Sequence, residues 1–267
     1  MGIKQRKILK FKNFKPIINF LKRFNLKSFN DKQKVKDYLS FFELSYLIKK
    51  ISEDNLPTKN PRFLRYIKED EKKPAPYEFN DLCRLHWIVL SRKVFTTLEY
   101  SSGFSTTFIA DACFILSHYF NNIINDIRVE KKFHIFSLEQ SSKFLKITKK
   151  RIPRFISNHA TLIKSKINVV KYQNKFATTY SVIPDISPDF IYLDGPSTFI
   201  KKRYKGFSFN NISRFPMSSD LLHFEYFLEP GTFLLVDGRT ANARFLKDHF
   251  KRKWKYYHDR KGDCHYF

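Results

Sequence analysis

With 267 residues, 42% of them hydrophobic and 17% aromatic, the chain suits one large domain, or one domain with a helical extension, and is excluded from the disordered class. Its three scattered cysteines, Cys83, Cys113 and Cys264, make neither a zinc pattern nor a disulfide framework, and no apolar run approaches the ~18 residues of a membrane helix. The formal charge of +25 implies attraction to anions, but 30 Phe against 7 Gly is the slant of an AT-rich coding sequence, so the lysine excess does not by itself assign a nucleic-acid partner.

The first 80 residues read as a basic helical extension and linker. Lys4, Arg6, Lys7, Lys10 and Lys12 interrupt any signal-peptide core, so a soluble cytoplasmic protein is expected. Ile17, Phe20, Leu21 and Phe24 fall at helical spacing with Lys22, Arg23 and Lys27 on the other side. Such a helix either packs on the main domain, the favoured reading, or lies on a membrane surface or an anionic polymer. A second helical pattern runs from about Lys34 to Ile51, and Glu69 to Pro76 is a charged linker.

From residue 81 onward strands alternate with helices. The pattern predicts a helix through Leu82, Leu85 and Val89, a strand at Val94–Leu98, a helix at Thr106–Phe120 and a strand at Phe133–Leu138. A helix at Ser141–Arg151 and strands at Ile167–Tyr172 and Phe190–Leu193 follow, then a helix at Met217–Leu228, a strand at Thr232–Val236 and a helix at Ala243–Phe250. Two last strands joined by a turn at Lys261-Gly262-Asp263 read as an edge hairpin. The expected fold is a doubly wound α/β domain with a mainly parallel seven-stranded sheet over residues 81–267.

Four segments put chemistry at strand ends. Leu98-Glu99-Tyr100-Ser101-Ser102-Gly103-Phe104-Ser105-Thr106 is a strand end, a small-residue turn and a helix start, where free backbone N–H groups favour an anion or a close ligand. Glu139 and Gln140 end the second strand, where a carboxylate can accept bonds from ribose hydroxyls. Asp194 ends the Phe190–Leu193 strand before Gly195-Pro196, and Asp237-Gly238-Arg239 ends the Thr232–Val236 strand.

In this order the segments resemble the class I S-adenosylmethionine-dependent methyltransferase family. The likeness covers about residues 92–267, with Ser101 replacing the first motif glycine. Serine there is compatible only with negative φ. The resemblance implies S-adenosylmethionine as cofactor, bordered by Glu99, Ser101, Gly103, Ser105 and Thr106, with Glu139 and Gln140 at its ribose. Asp194, Asp237 and Arg239 would serve catalysis or the acceptor, with His223 and His249 as weaker candidate bases. Some members hold a divalent metal through acids matching Asp194 and Asp237 and a neighbouring Asn. Gly238 occupies that Asn position, so no metal site is assigned. Lys201, Lys202, Arg203, Lys205 and Arg214 suit an anionic acceptor, expected to be a small molecule or glycan. The alternatives are an RNA methyltransferase and an inactive methyltransferase-like binding domain.

Overall fold

The computed structural model describes residues 6–48, 77–124, 129–196, 203–208 and 216–267. After two short N-terminal helices, α1 (Lys15–Leu21) and α2 (Lys32–Phe41), comes α3 (Phe79–Arg92). The doubly wound part follows: β1 (Thr96–Tyr100), α4 (Phe104–Phe120), β2 (His134–Glu139), α5 (Ser142–Arg151) and β3 (Ala160–Lys164). Next are β4 (Ile167–Tyr172), β5 (Lys175–Tyr180), β6 (Phe190–Leu193), β7 (Arg203–Tyr204), β8 (Phe207–Ser208) and β9 (Met217–Ser218). The chain continues with α6 (Asp220–Phe224), β10 (Phe233–Asp237), α7 (Thr240–His249), β11 (Tyr257–Asp259) and β12 (Cys264–Tyr266).

Seven strands make the main sheet in the order β11-β12-β10-β6-β1-β2-β3. All pairs are parallel except β10 with β12 and β12 with β11, which is the expected antiparallel C-terminal hairpin. Every residue of β1, β2 and β6 is buried, as a sheet covered on both faces requires. One face is covered by α3, α4 and the N-terminal helices, the other by β4, β5, α6 and α7. Strand order reverses between β1 and β6, the crevice at which open α/β sheets place their ligands.

Three sequence expectations need correction. Ile167–Tyr172 is a strand but not a member of the main sheet. It pairs antiparallel with β5 and forms a small separate sheet with β9. The turn between them, Gln173-Asn174, has φ of 43° and 66°, the doubly positive pattern of a two-residue hairpin. Lys175–Tyr180 shows no hairpin signal in the sequence, because the turn before it carries no glycine. The third parallel strand is instead Ala160–Lys164, a half-exposed edge strand with weak alternation. The expected helix at Met217–Leu228 shrinks to α6 and a 3-10 turn at Glu225–Phe227, because Met217 and Ser218 pair with β5 instead.

The third correction concerns how firmly the N-terminal helices, expected to pack on the main domain, are tied to it. Ile8, Ile17, Phe29, Val35, Tyr38, Phe42 and Leu44 are fully buried and share one hydrophobic core with α3 and α4. Each such side chain contributes about 1.5–3 kcal/mol on burial, so residues 6–48 are part of the domain's core. A charged network reinforces them. Arg6 meets Asp111, in the middle of α4, at 2.6 and 3.1 Å, with both side chains at most 2% exposed. Arg6 also donates to the Phe42 carbonyl at 2.8 Å, and Tyr46 donates to Asp111. His86 Nε2 lies 3.1 Å from Asp111, and the Tyr38 hydroxyl 2.8 Å from His86 Nδ1. Arg6 and His86 hold the Asp111 carboxyl down at about 2 although burial opposes this, and burial lowers His86, which fits a neutral ring donating from Nε2. The linker at 69–76 and the helix end at Ile51 lie outside the described residues.

Candidate active site

The site residues are placed by strand register. Glu99 sits opposite Ser137 on β2 and Tyr192 on β6, all on the α4 side of the sheet. Its carboxylate is completely buried and accepts hydrogen bonds from Ser105, from Thr106 Oγ1 at 2.6 Å and from Ser137 Oγ at 2.5 Å. Thr106 Oγ1 in turn accepts from the Gly103 N–H at 3.0 Å. Glu99 thus clamps the first turn of α4 to the sheet. Burial raises its carboxyl to about 7, against the lowering effect of the three hydroxyls.

The turn itself departs from the expectation for Ser101. Its φ is 105°, in the region glycine favours, and its N–H donates to the Leu138 carbonyl at 2.9 Å. The chain makes the glycine turn with serine and carries the strain. Gly103 has extended backbone at φ −178°, and a Cβ there would meet nothing closer than Ser105 Oγ at 4.0 Å. The space beside Gly103 is therefore open. Gly195 is the glycine that packing demands: a Cβ would come within 2.7 Å of the Tyr100 carbonyl oxygen.

Glu139, 3% exposed, ends β2 beside this turn. Its Oε1 accepts the Ser141 N–H at 2.7 Å and its Oε2 the Ser102 hydroxyl at 3.2 Å. Burial raises its pKa, opposed by those donors and by Lys164. Gln140, half-buried, offers its carbonyl to Lys164 Nζ.

Across the switch point, Val236 pairs with Leu193, so Asp237 and Asp194 follow side by side as the two strands end. Asp237 accepts a bond from the Tyr192 hydroxyl at 2.6 Å. Arg239 Nη2 donates to the Asp194 backbone carbonyl at 2.8 Å, with Nε 3.9 Å from the Asp194 carboxylate. Surrounding protein pushes the Asp194 carboxyl up to about 7, assisted by Asp237 and Glu99 and opposed by Arg239. The side chain is still 51% open, so water tempers these interactions. Asp81 and Asp263 also shift upward, chiefly through burial and then through Asp237, and Asp263 reaches about 6. Sequence reading missed both, along with Ser102, Ser137, Tyr192 and Tyr180. Tyr180 ends β5, 5% exposed, close enough to Glu139, Arg239 and Asp194 to feel their charges. Its signal was the unread hairpin.

Two candidate bases fall away. His249 lies at the C-terminal end of α7, remote from the rim where that helix starts. Lys175 donates to its Nε2 at 3.0 Å, and the opposite nitrogen bonds the Phe245 carbonyl at 2.7 Å. His223 is exposed, packed on Tyr172 and 3.3 Å from Ser219 Oγ. Among the described residues no three His, Cys, Asp or Glu converge with metal-holding geometry. Of the basic segment, Lys201, Lys202 and Arg214 lie outside the described residues, and Lys205 is exposed over the Tyr204 ring.

No family model and no curated protein matches the chain. Among solved structures it is similar to an O-methyltransferase from Bacillus cereus in complex with SAH. Identity is 11%, coverage 87% of this chain and 97% of that one, and the TM-score 0.40. It is also similar to a protein assigned as a caffeoyl-CoA O-methyltransferase from Staphylococcus aureus. There the identity is 12%, the coverage 82% and 80%, and the TM-score 0.34.

Proposed function

We propose that the chain is an S-adenosylmethionine-dependent methyltransferase acting on a small acceptor at the rim between β1, β6 and β10. The observation that carries this is Glu139: a buried acid ending the strand next to a small-residue turn, beside the switch point of a seven-stranded sheet with an antiparallel C-terminal hairpin. A ribose hydroxyl can take over the place of Ser102, which bonds Oε2 at 3.2 Å. The rim suits the rest of the cofactor as well. Glu99, Asp194 and Asp237 all titrate upward, so a sulfonium cation among them relieves their shared desolvation and repulsion.

The cofactor supplies an electrophilic methyl group. The chain's task is to hold an acceptor atom in line with it and to remove that atom's proton. Asp194, raised towards neutrality and held by Arg239, suits the second task for a hydroxyl or amine acceptor. The acids around Asp194 favour such an acceptor over the anionic one that the lysine-rich segment suggested. The test is calorimetry with S-adenosylmethionine. Glu139→Ala should fold and bind it about 1.5–3 kcal/mol more weakly than the wild type, the scale for hydrogen bonds to a charged group. A wild-type protein that binds no S-adenosylmethionine, or a folded Glu139→Ala protein of unchanged affinity, refutes the reading.

A further inference from the structure

A groove of about 640 Å³ lies at the opposite end of the main sheet from the rim, where β10 begins and β12 ends. Its volume is that of an ordinary ligand site. Six of its fifteen lining residues are aromatic: Phe233, Trp254, Tyr256, Tyr257, Tyr266 and Phe267. The polar atoms of this wall bond inward. Trp254 Nε1 donates to Glu225 at 2.9 Å, Tyr256 bonds His265 at 2.8 Å, and Arg252 donates to the carbonyls of Glu225 and Leu228. Tyr266 and Phe267 are buried, so what remains for a ligand is the exposed Tyr257, the half-buried rings of Phe233, Trp254 and Tyr256, and the cations at the edge.

Those cations are ordered. From Lys251 to Tyr257 the chain alternates exposed and half-buried residues, so Lys253 and Lys255 point outward while Trp254 and Tyr256 turn in. Like-facing residues in extended chain repeat about every 6.6 Å. Lys27 stands over the Tyr257 ring at 5.6 Å and Arg92 over the Phe233 ring at 4.9 Å. Against these, Glu229 is the one acid among the lining residues.

We propose that this groove binds single-stranded nucleic acid, with bases on the aromatic walls and phosphates along Lys253 and Lys255. Stacking platforms beside a regularly spaced cationic edge are the chemistry that binds a single strand without reading its sequence. A concave, aromatic-walled groove favours this over a lipid surface, which would call for a convex apolar face. The proposal concerns a holding site remote from the rim and does not depend on the reaction performed there.

The experiment is anisotropy of a labelled oligouridylate of about 12 nucleotides against the full chain, across a salt series. The wild type should bind at low salt. Lys253→Gln/Lys255→Gln should flatten the log–log salt dependence by about 1.4, the release expected for two phosphate contacts to a single strand. Tyr257→Ala, at an edge strand and 43% exposed, should keep the wild-type melting temperature to within a few degrees and lose roughly tenfold in affinity. Bound RNA should also quench Trp254, a signal that Trp254→Phe removes. Absence of binding at low salt overturns the proposal. So does binding that ignores Tyr257, as inorganic polyphosphate would show, and so does capture by anionic vesicles that needs the same residues.

Discussion

Glu99 is completely buried yet holds three hydroxyls, and its carboxyl titrates at about 7. A carboxyl raised above its unfolded value of 4.5 adds most stability below pH 4.5 and loses it as pH rises through 7. The shift corresponds to about 3 kcal/mol. Denaturant melts should therefore show stability falling by up to that amount between pH 4.5 and 8, and Glu99→Gln should flatten this part of the profile. An unchanged slope in the variant would place the titration elsewhere. Asp194 makes a prediction about turnover. Asp194→Asn should fold normally and lose two or more decades in S-adenosylhomocysteine release, while wild-type kcat/KM for S-adenosylmethionine, which reports the cofactor-free enzyme, changes as pH passes through about 7. Wild-type turnover in the variant would leave Asp194 a loop-capping residue. Glu99, Glu139, Asp194 and Asp237 were legible in the sequence because strand ends can be found from apolar runs. Their hydroxyl partners were not, because Ser102, Ser137 and Tyr192 look like any turn or strand residue until register pairs them.

At the scale of elements, the central strands and the helices flanking them were legible because full burial writes long apolar runs, as in Phe190–Leu193. The failures lie where the fold departs from simple alternation. Between β3 and β6 the chain inserts the β4–β5 hairpin, where a helix would ordinarily cross, and that hairpin packs Ala177 and Tyr180 against the sheet. Its turn residues adopt left-handed backbone without glycine. Gln173→Asn/Asn174→Gly, the pair such turns prefer, should therefore raise stability by roughly 1 kcal/mol. A thermal melt showing destabilisation would mean that the Gln173 side chain contributes more than the backbone strain costs.

For the whole molecule, the question is where the domain begins. A basic, acid-free start followed by a proline-bearing linker reads as an appendage, and the sequence gives no hint that Arg6 pairs with Asp111. Apolar burial makes the first helices integral, and the ion pair ties them to α4. Arg6→Ala leaves Asp111 buried with one cation fewer, a change that typically costs 3–5 kcal/mol. The variant should melt far below the wild type, and deleting residues 1–30 should abolish cooperative unfolding of the remainder. A truncated chain with an unchanged melt would restore the first segment to an accessory role. The same pairing spans 105 residues of sequence, which bears on how the protein is made. During translation α1 and α2 leave the ribosome before α4 exists, so Phe20, Phe29 and Phe42 can pack only on one another and on Phe24, Tyr38 and Phe41, and Arg6 lacks Asp111. That segment must carry an exposed aromatic face until α4 has been made, a window in which a holdase chaperone has its clearest target and a pause in elongation its greatest hazard.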